Sequence, residues 1–363
     1  MRFLTTRTPA FIPTLIAFAV LAIGSVNVRA QENTYPEWTK GMECWSHRDY
    51  QCCVTQFQKL LEQTPSNPAG VYYMLGRCQV ELKQLDMAEK NLQKVVELEP
   101  KFGGAYVQLA RVAKTRDQND RAIQWINQGL ANVDPKEKAL ALKIRGGAYL
   151  DLKKYAEAEK DLSEAATLAP KDDGIFLLQG RLYLAKKETG RAYDVLNKAY
   201  GLRDSKEAGL MLLEAASAAG KYETAASVGQ ALVDKGIKEN GTLLKLGQAY
   251  LTLKEYDKSA VALIQIPGND KSKLANLSQA YVGAKNWTAA EKALLEWEKV
   301  DVKNPLVYDL LGRVYGNEDR PKESLEMYRK GKANTGDPRF DALIKAAQQA
   351  LEKAAPTVPS KNG

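Results

Sequence analysis

The chain has 363 residues, of which 45% are hydrophobic and 26% charged, with a formal net charge of +8 and a single histidine. This composition is typical of a soluble helical protein and excludes a largely disordered chain. The positive surplus is too mild to favour nucleic-acid binding, which usually concentrates charge on a strongly basic face.

The first thirty residues differ in character from the rest. Arg2 and Arg7 precede an apolar run over 12–26, and residues 28–30 have the small-x-small form of a cleavage site. We therefore predict a secretory signal over residues 1–30. An uncleaved membrane anchor is the alternative, although the apolar run is short for a bilayer. Cleavage would lower the formal charge from +8 to +5, because this segment contains three arginines and no acid.

A short pattern recurs along the chain at a nearly constant interval. One position, which we call the small position, is occupied in turn by Gly41, Gly76, Ala110, Gly146, Gly180, Glu214, Gly247, Ser278 and Gly312. The interval between successive members is 31 to 36 residues, which is the period of a helix-turn-helix unit. A second set of small residues follows within the units, at Ala88, Ala122, Ala158, Ala192, Ala290 and Ser324.

These small residues have a physical role in helix pairing. Two antiparallel helices approach closely only where a side chain is nearly absent, so the small residues of the two helices are predicted to face each other. Large apolar residues fill the space beside that contact, at Phe57, Leu92, Ile126, Leu162, Leu196, Leu263, Leu294 and Tyr328. Proline near several unit ends is expected to stop the second helix.

Over about residues 34–336, these motifs resemble the tetratricopeptide repeat family. The resemblance implies an all-α fold, a right-handed superhelical solenoid of about nine helix-turn-helix units over 31–336, with a non-catalytic role in protein binding. The sixth unit departs most from the pattern, because Glu214 stands in its small position, so its register is open. Before the eighth unit, residues 266–270 predict a tight turn that closes one helix and caps the next.

The chain after the ninth unit predicts one more helix. Asp337 can cap it, with Pro338 in its first turn. Its apolar stripe consists of Phe340, Leu343, Ile344, Ala347 and Leu351. We expect a capping helix over 337–354, which a repeat array needs at its end. Residues 355–363 are predicted to be a disordered tail.

All four cysteines, Cys44, Cys52, Cys53 and Cys78, fall in the first two units. In an exported protein an even, clustered set favours disulfides. Neighbouring residues on a helix point about 100° apart, and counting along antiparallel helices predicts Cys44–Cys53 within the first unit and Cys52–Cys78 between units. Buried free thiols are the alternative, and a metal site is a weaker third one.

In this family the first helix of each unit lines the inner, concave surface, so the resemblance implies that a partner binds there. The candidate groove residues lie next to the small position, three before it or four after it. They are Trp38, Met42, Trp45, Tyr73, Arg77, Val107, Arg111, Lys114, Lys143, Leu150, Leu177, Arg181, Leu184, Met211, Leu244, Gln248, Leu251 and Arg313.

Two groups among these candidates suggest a ligand. Arg77, Arg111 and Arg181 share the position after the small one, and arginine pairs bidentately with carboxylates, so an acidic or extended peptide is the implied partner. A solvated basic face is the alternative. Trp38 and Trp45, with Met42 between them, predict an apolar patch at a protein interface; packing in the core is the alternative.

The sequence contains no pattern typical of catalysis. His47 has no metal-ligand partner at a suitable spacing, and no phosphate-binding loop, zinc-protease motif or nucleophile elbow is present. We therefore expect no enzyme activity, no cofactor, no metal and no nucleic-acid partner, and no integral membrane segment after signal cleavage. The favoured function is an exported scaffold, periplasmic or secreted, that binds proteins or peptides.

Two other functions stay open at this stage. One is an assembly or quality-control factor that captures exported client proteins, which an exposed Trp and Met patch would favour. The other is a polysaccharide-export or carbohydrate-associated module.

Overall fold

The computed structural model describes residues 35–354, where the chain forms nineteen α-helices and no β-strand. The predicted signal over 1–30 and the predicted tail over 355–363 lie outside these residues. The helices are α1 (Pro36–Ser46), α2 (Tyr50–Glu62), α3 (Pro68–Glu81), α4 (Leu85–Leu98), α5 (Gly103–Thr115), α6 (Asn119–Gly129), α7 (Pro135–Asp151), α8 (Tyr155–Leu168), α9 (Asp173–Ala185), α10 (Thr189–Leu202), α11 (Lys206–Ala218), α12 (Tyr222–Asp234), α13 (Asn240–Thr252), α14 (Tyr256–Ile264), α15 (Lys271–Gly283), α16 (Trp287–Val300), α17 (Pro305–Asn317), α18 (Pro321–Thr335) and α19 (Arg339–Ala354).

The first eighteen helices follow one another in pairs, and the same turn joins the two helices of each pair. One residue of each turn has a positive φ: Arg48, Lys83, Asp117, Lys153, Lys187, Gly220, Lys254, Lys285 and Asp319. A left-handed residue there stops the first helix, and the next amide bonds back, as Gln84 N donates to the Gln79 carbonyl at 2.9 Å. The described residues thus confirm an all-α fold of nine helix pairs.

Helix pairs are in close contact at the small position, as predicted. A Cβ added to Gly76 would lie 2.7 Å from Leu92 Cγ, and one added to Gly247 would lie 2.5 Å from Leu263 Cγ. Neither distance is possible for a real side chain, so only glycine allows leucine to fill that space. Ser259 strengthens the same contact, because its Oγ donates to the Gly247 carbonyl at 2.8 Å.

The sixth pair, α11 and α12, corrects the predicted register by one residue. In the other pairs the small position lies seven residues before the left-handed residue of the turn, which in this pair is Gly220. The equivalent residue is therefore Leu213, which is 1% exposed, and not Glu214, which is exposed and pairs with Lys245 at 2.9 Å. Leu213 faces Gly229, where an added Cβ would meet Leu213 Cδ1 at 3.5 Å. The glycine and the leucine have exchanged helices.

The chain divides into two compact units, Met1–Leu182 and Tyr183–Gly363, with the boundary inside α9. In the first unit, Phe57 and Leu92 are completely buried in a core that runs through the amino-terminal pairs. In the second unit, Tyr308 is completely buried beneath the last helices. Each unit has an apolar interior of its own.

The short connection between α14 and α15 is the tight turn that the sequence predicts. Gly268 has a φ of 73°, and the Asp270 carboxylate accepts hydrogen bonds from the amides of Ser272 at 2.9 Å and Lys273 at 3.0 Å. Lys273, only 8% exposed, donates from Nζ to the carbonyls of Ile266 at 2.5 Å and Gly268 at 2.8 Å. A buried ammonium thus satisfies the carbonyls that the shortened helix leaves unpaired.

The last helix, α19, covers the end of the ninth pair. Asp337 precedes it and accepts a hydrogen bond from the Arg339 amide at 2.9 Å. Phe340 is 2% exposed, and its ring centroid lies 6.4 Å from that of Tyr328 on α18. This arrangement is the end cap expected of a repeat array, whose last pair lacks a following neighbour.

Candidate partner-binding face

The predicted groove residues all lie on the first helices of the pairs, and we call this surface of each compact unit the first-helix face. Several of them are core residues instead. Trp38 is 4% and Tyr73 3% exposed, and the Trp38 ring packs edge-on against Phe57 at 5.4 Å. The other buried candidates are Val107, Leu150 and Leu177. The prediction that these five line an accessible groove is wrong, because their side chains are buried in the core.

Two of the three predicted binding arginines are already engaged by carboxylates of this chain. Arg111 Nη2 lies 3.0 Å from Glu81 Oε1, and Arg181 Nη2 lies 3.2 Å from Asp151 Oδ1. In both cases the carboxylate belongs to the first helix of the preceding pair. Lys114 also pairs with Asp151. These ion pairs join neighbouring first helices and reduce the charge available to a partner.

The remaining candidates form a mixed surface. Lys143 pairs with Asp172 at 2.7 Å, whereas Gln248 and Arg313 are exposed. Half-buried apolar candidates complete the set at Met42, Trp45, Leu184, Met211, Leu244 and Leu251. The face therefore offers polar groups with limited apolar area, which suits hydrogen-bonded contact with a polypeptide.

Arg77, the third predicted binding arginine, has a different environment. Its Cζ lies 4.3 Å from the centroid of the Trp45 ring and 5.4 Å from that of Tyr73, within the range of cation–π attraction. Its Nη1 reaches only the Met74 sulfur, at 3.8 Å, and its shielded Nε has no hydrogen-bond partner. In the described part of the chain Arg77 forms no ion pair.

Glu137, at the start of α7, is an acid whose charge interacts with that of this arginine. The Tyr73 hydroxyl donates to Glu137 Oε1 at 3.4 Å. Gly104 permits this contact, because an added Cβ would lie 2.8 Å from the Tyr73 hydroxyl. Burial raises the pKa of the Glu137 carboxyl, and the nearby Arg77 charge partly offsets that rise. Burial also raises the pKa of Tyr73, so its hydroxyl remains a donor at neutral pH.

The four cysteines form two disulfides, but the predicted connectivity is wrong. Cys44 bonds to Cys52, with Cα atoms 5.8 Å apart, and Cys53 bonds to Cys78, with Cα atoms 6.2 Å apart. The reason is the repeat register. Cys53 occupies the buried second small position, twelve residues after Gly41, and its sulfur bonds to Cys78 on α3 of the next pair. Cys52 is half-buried and lies towards Cys44 on α1.

The single histidine lies outside any metal-binding cluster of the described residues. His47 is exposed at the end of α1, with Nδ1 2.9 Å from the Glu43 carbonyl, which is a turn position. Residues 35–354 contain no group of three or more histidine, cysteine or acidic side chains that could hold a metal ion. No helix in that range is long and apolar enough to cross a membrane.

Sequence reasoning missed the carboxylates that pair with the arginines. Glu81 and Asp151 each lie five residues after the small position of their unit, and Arg111 and Arg181 each lie one residue after it in the next unit. The constant separation of 30 residues between arginine and acid was a usable signal. Glu137 had no such signal, because its contact with Tyr73 skips a whole pair.

The fold and this face define a class of protein, an all-α helical-repeat protein with a polar first-helix face. A family model for the tetratricopeptide repeat matches residues 69–102 and 144–172, which contain the second and fourth pairs. In these two segments the chain is similar to the tetratricopeptide repeat. A comparison with curated proteins finds no match.

Solved structures with a similar fold are distant in sequence. PilF of Pseudomonas aeruginosa is 21% identical, with a TM-score of 0.47, covering 65% of this chain and 98% of its own. PilW, a widely conserved type IV pilus biogenesis factor, is 16% identical, with a TM-score of 0.48, covering 54% and 90%. A tetratricopeptide repeat protein of Parabacteroides merdae is 13% identical, with a TM-score of 0.38, covering 77% and 99%. At these identities the likeness concerns the fold alone.

Proposed function

We propose that this protein is a non-catalytic scaffold of the cell envelope that binds partner proteins or peptides on its first-helix face. The observation that carries the proposal is that this face has exposed polar side chains that take no part in packing the core. Tetratricopeptide repeats are in general protein-interaction scaffolds. Exposed Gln248 and Arg313 of the second unit can supply hydrogen-bond donors to a polypeptide, and so, separately, can Arg77 of the first unit.

Two features support export to the envelope. The sequence of residues 1–30 has the three regions of a secretory signal. All four cysteines are paired in disulfides, and structural disulfides persist mainly in oxidising compartments. Intact mass and amino-terminal sequencing of the protein from its own cells test this: a chain that begins near residue 31 with no free thiol is expected, and a reduced chain retaining Met1 would contradict export.

Crosslinking tests the binding face. A photoreactive residue at Gln248 or Arg313 should capture a partner protein in the native envelope. Matched controls are Asp257 and Lys322, which are exposed on the second helices of the same pairs and should capture none. Equal capture at all four positions, or capture at the controls only, would rule out the first-helix face.

The alternative role in capturing unfolded clients loses its main support. It required an exposed apolar patch of Trp38, Met42 and Trp45. Trp38 instead packs in the core against Phe57, and Met42 and Trp45 are half-buried. We therefore favour a defined partner over many clients, and crosslinking distinguishes one captured protein from a broad set.

A further inference from the structure

Arg77 differs from Arg111 and Arg181 in the residue that the preceding helix pair contributes next to it. Arg111 and Arg181 each meet a carboxylate that lies five residues after the small position of the preceding pair. The residue at that place before Arg77 is Ser46, whose Oγ donates to the carbonyl of Glu43 in its own helix at 2.7 Å. A neutral side chain thus replaces the acid, and the arginine keeps its charge without an ionic partner.

The ring beneath Arg77 is held in place by its own contacts. Trp45 is half-buried, and its ring centroid lies 5.4 Å from that of Tyr50 at the start of α2. The Cys44–Cys52 disulfide ties the end of α1 to the same part of α2. An arginine over a fixed ring loses little further freedom when a ligand binds, which favours affinity.

We propose that the guanidinium of Arg77, lying over the ring of Trp45, is the anchor for a carboxylate of the partner polypeptide. The anchor rests on the proposed function, since it assumes that the first-helix face receives a protein. The aromatic ring covers a face of the guanidinium, and the N–H donors lie in its plane, where a carboxylate accepts two of them in parallel. The thioether of Met74 is a weak acceptor that a carboxylate outcompetes.

The ligand chemistry is a carboxylate on an extended chain, from either of two sources. A carboxyl terminus and a Glu or Asp side chain present the same two oxygens. Glu137 does not fulfil this role itself, because it forms no ion pair with Arg77 and accepts a hydrogen bond from Tyr73 instead. Arg77 alone among the three predicted binding arginines is available to an external acid.

The test uses the mature chain and three acetylated hexa-alanine probes. One probe has a free carboxyl terminus, one is amidated, and one is amidated with a single central glutamate. Titration is followed by the Nε–Hε resonance of Arg77, assigned by its loss in Arg77→Lys. A charged probe is expected to shift this resonance and bind about tenfold or more tightly than the neutral one. The stronger of the two charged probes identifies the source of the carboxylate.

Variants distinguish carboxylate binding by Arg77 from a general attraction of the probe to positive charge on the protein. Arg77→Gln should abolish the preference for the charged probe, and Arg77→Lys should retain only part of it, because an ammonium lacks the planar pair of donors. Arg111→Gln, whose arginine is engaged by Glu81, and Arg329→Gln, whose arginine is exposed on the second helix α18, should leave the preference unchanged. Thermal unfolding of each variant confirms that it is folded.

Two results would overturn the anchor. One is the absence of any shift of the Arg77 resonance by either charged probe up to millimolar concentration. The other is a preference that survives Arg77→Gln or disappears equally in Arg329→Gln. If crosslinking at Gln248 or Arg313 still captures a partner, the anchor alone fails and the proposed function stands.

Discussion

Leu213 and Gly229 form a contact between the helices of the sixth pair, with leucine on the first helix and glycine on the second. In the neighbouring seventh pair the order is reversed, with Gly247 on the first helix and Leu263 on the second. Leu213 is buried on the first helix. A Cβ added to Gly229 on the second helix would meet Leu246 of the seventh pair at 3.1 Å and Leu213 Cδ1 at 3.5 Å. Close packing depends on the combined volume at this contact, and either order of the two residues satisfies it. The pair therefore keeps its place in the array despite a departure from the repeat pattern.

Exchanging these two residues should show that their contributions to the free energy of unfolding are coupled. We expect Leu213→Gly to lower the free energy of unfolding by about 3–6 kcal/mol through a cavity and added backbone freedom. Gly229→Leu should cost about 1–3 kcal/mol through overpacking. The double variant should cost less than the sum of the two by about 0.5–3 kcal/mol. Denaturant unfolding measures all three, and simple additivity would contradict the shared contact.

The left-handed turn residues provide a second test. Lys153 has a φ of 58°, a conformation that costs a side-chain-bearing residue about 1–2 kcal/mol. Lys153→Gly should therefore raise stability, by somewhat less than this because glycine gains freedom when unfolded. The matched control is Gly220→Lys in the equivalent turn, which should lower stability. Melting temperatures that move in the same direction for both variants would refute this account.

Buried Lys273 should be essential to the turn before the eighth pair. Lys273→Met removes two hydrogen bonds from Nζ and leaves the carbonyls of Ile266 and Gly268 without that donor, at an expected cost of about 2–4 kcal/mol. Exposed Lys271, which pairs with Asp301 at 3.1 Å, is the control, and Lys271→Met should cost less than about 1 kcal/mol. Denaturation of both variants provides the comparison; similar losses would show that burial of Lys273 is unimportant.

Counting the free thiols of double-cysteine variants tests the disulfide connectivity. Replacing Cys53 and Cys78 together by alanine should leave no free thiol, because it removes one whole disulfide. Replacing Cys44 and Cys53 together should instead leave Cys52 and Cys78 without their native partners. Thiol alkylation followed by mass measurement distinguishes these results, and two free thiols in the first variant would overturn the assigned pairing.

The two disulfides should also differ in their effect on stability. They span 25 residues for Cys53–Cys78 and 8 for Cys44–Cys52. Since a longer loop loses more entropy when closed, removal should cost about 3.5 kcal/mol for the first and about 2.5 kcal/mol for the second in the chain-entropy account.

Glu137 should make stability depend on pH. Burial raises the pKa of its carboxyl in the folded chain above the ordinary value of 4.5. The stabilising protonated form is complete below that ordinary value, and its contribution is lost as the pH rises through the folded pKa. Glu137→Gln mimics the protonated form, so its stability relative to the natural chain should increase from about pH 4 to about pH 7. Denaturant unfolding at both pH values checks this; a difference that is constant with pH would contradict it.

Much of the fold was predictable because the repeat imposes the same local rule many times. Gly76 and Gly247 mark close helix contacts wherever they occur, and Asp270 marks a cap, so local sequence was sufficient there. The register of the sixth pair stayed open because its small residue, Gly229, lies on the second helix, and the equivalent position on the first helix is the large residue Leu213.

The binding face was less predictable because it depends on which residues meet across pairs. Repeat position placed Arg111 and Arg181 on the correct helices, but it did not show that Glu81 and Asp151 neutralise them. The sequence left Trp38 open between an interface and the core, because no periodicity distinguishes a terminal core residue from an interface residue. The Cys52 and Cys53 pairing failed for a related reason, since one residue of rotation decides which neighbour each sulfur meets.

The two disulfides influence which end of the repeat array unfolds first. Terminal pairs of a repeat array have one neighbour and fray first. Here two covalent bonds tie α1, α2 and α3 together, whereas α19 is held by apolar contacts such as that of Phe340 with Tyr328. A protease under native, oxidising conditions should therefore cut first at the carboxyl-terminal end, and reduction should expose a second site of cleavage at the opposite end.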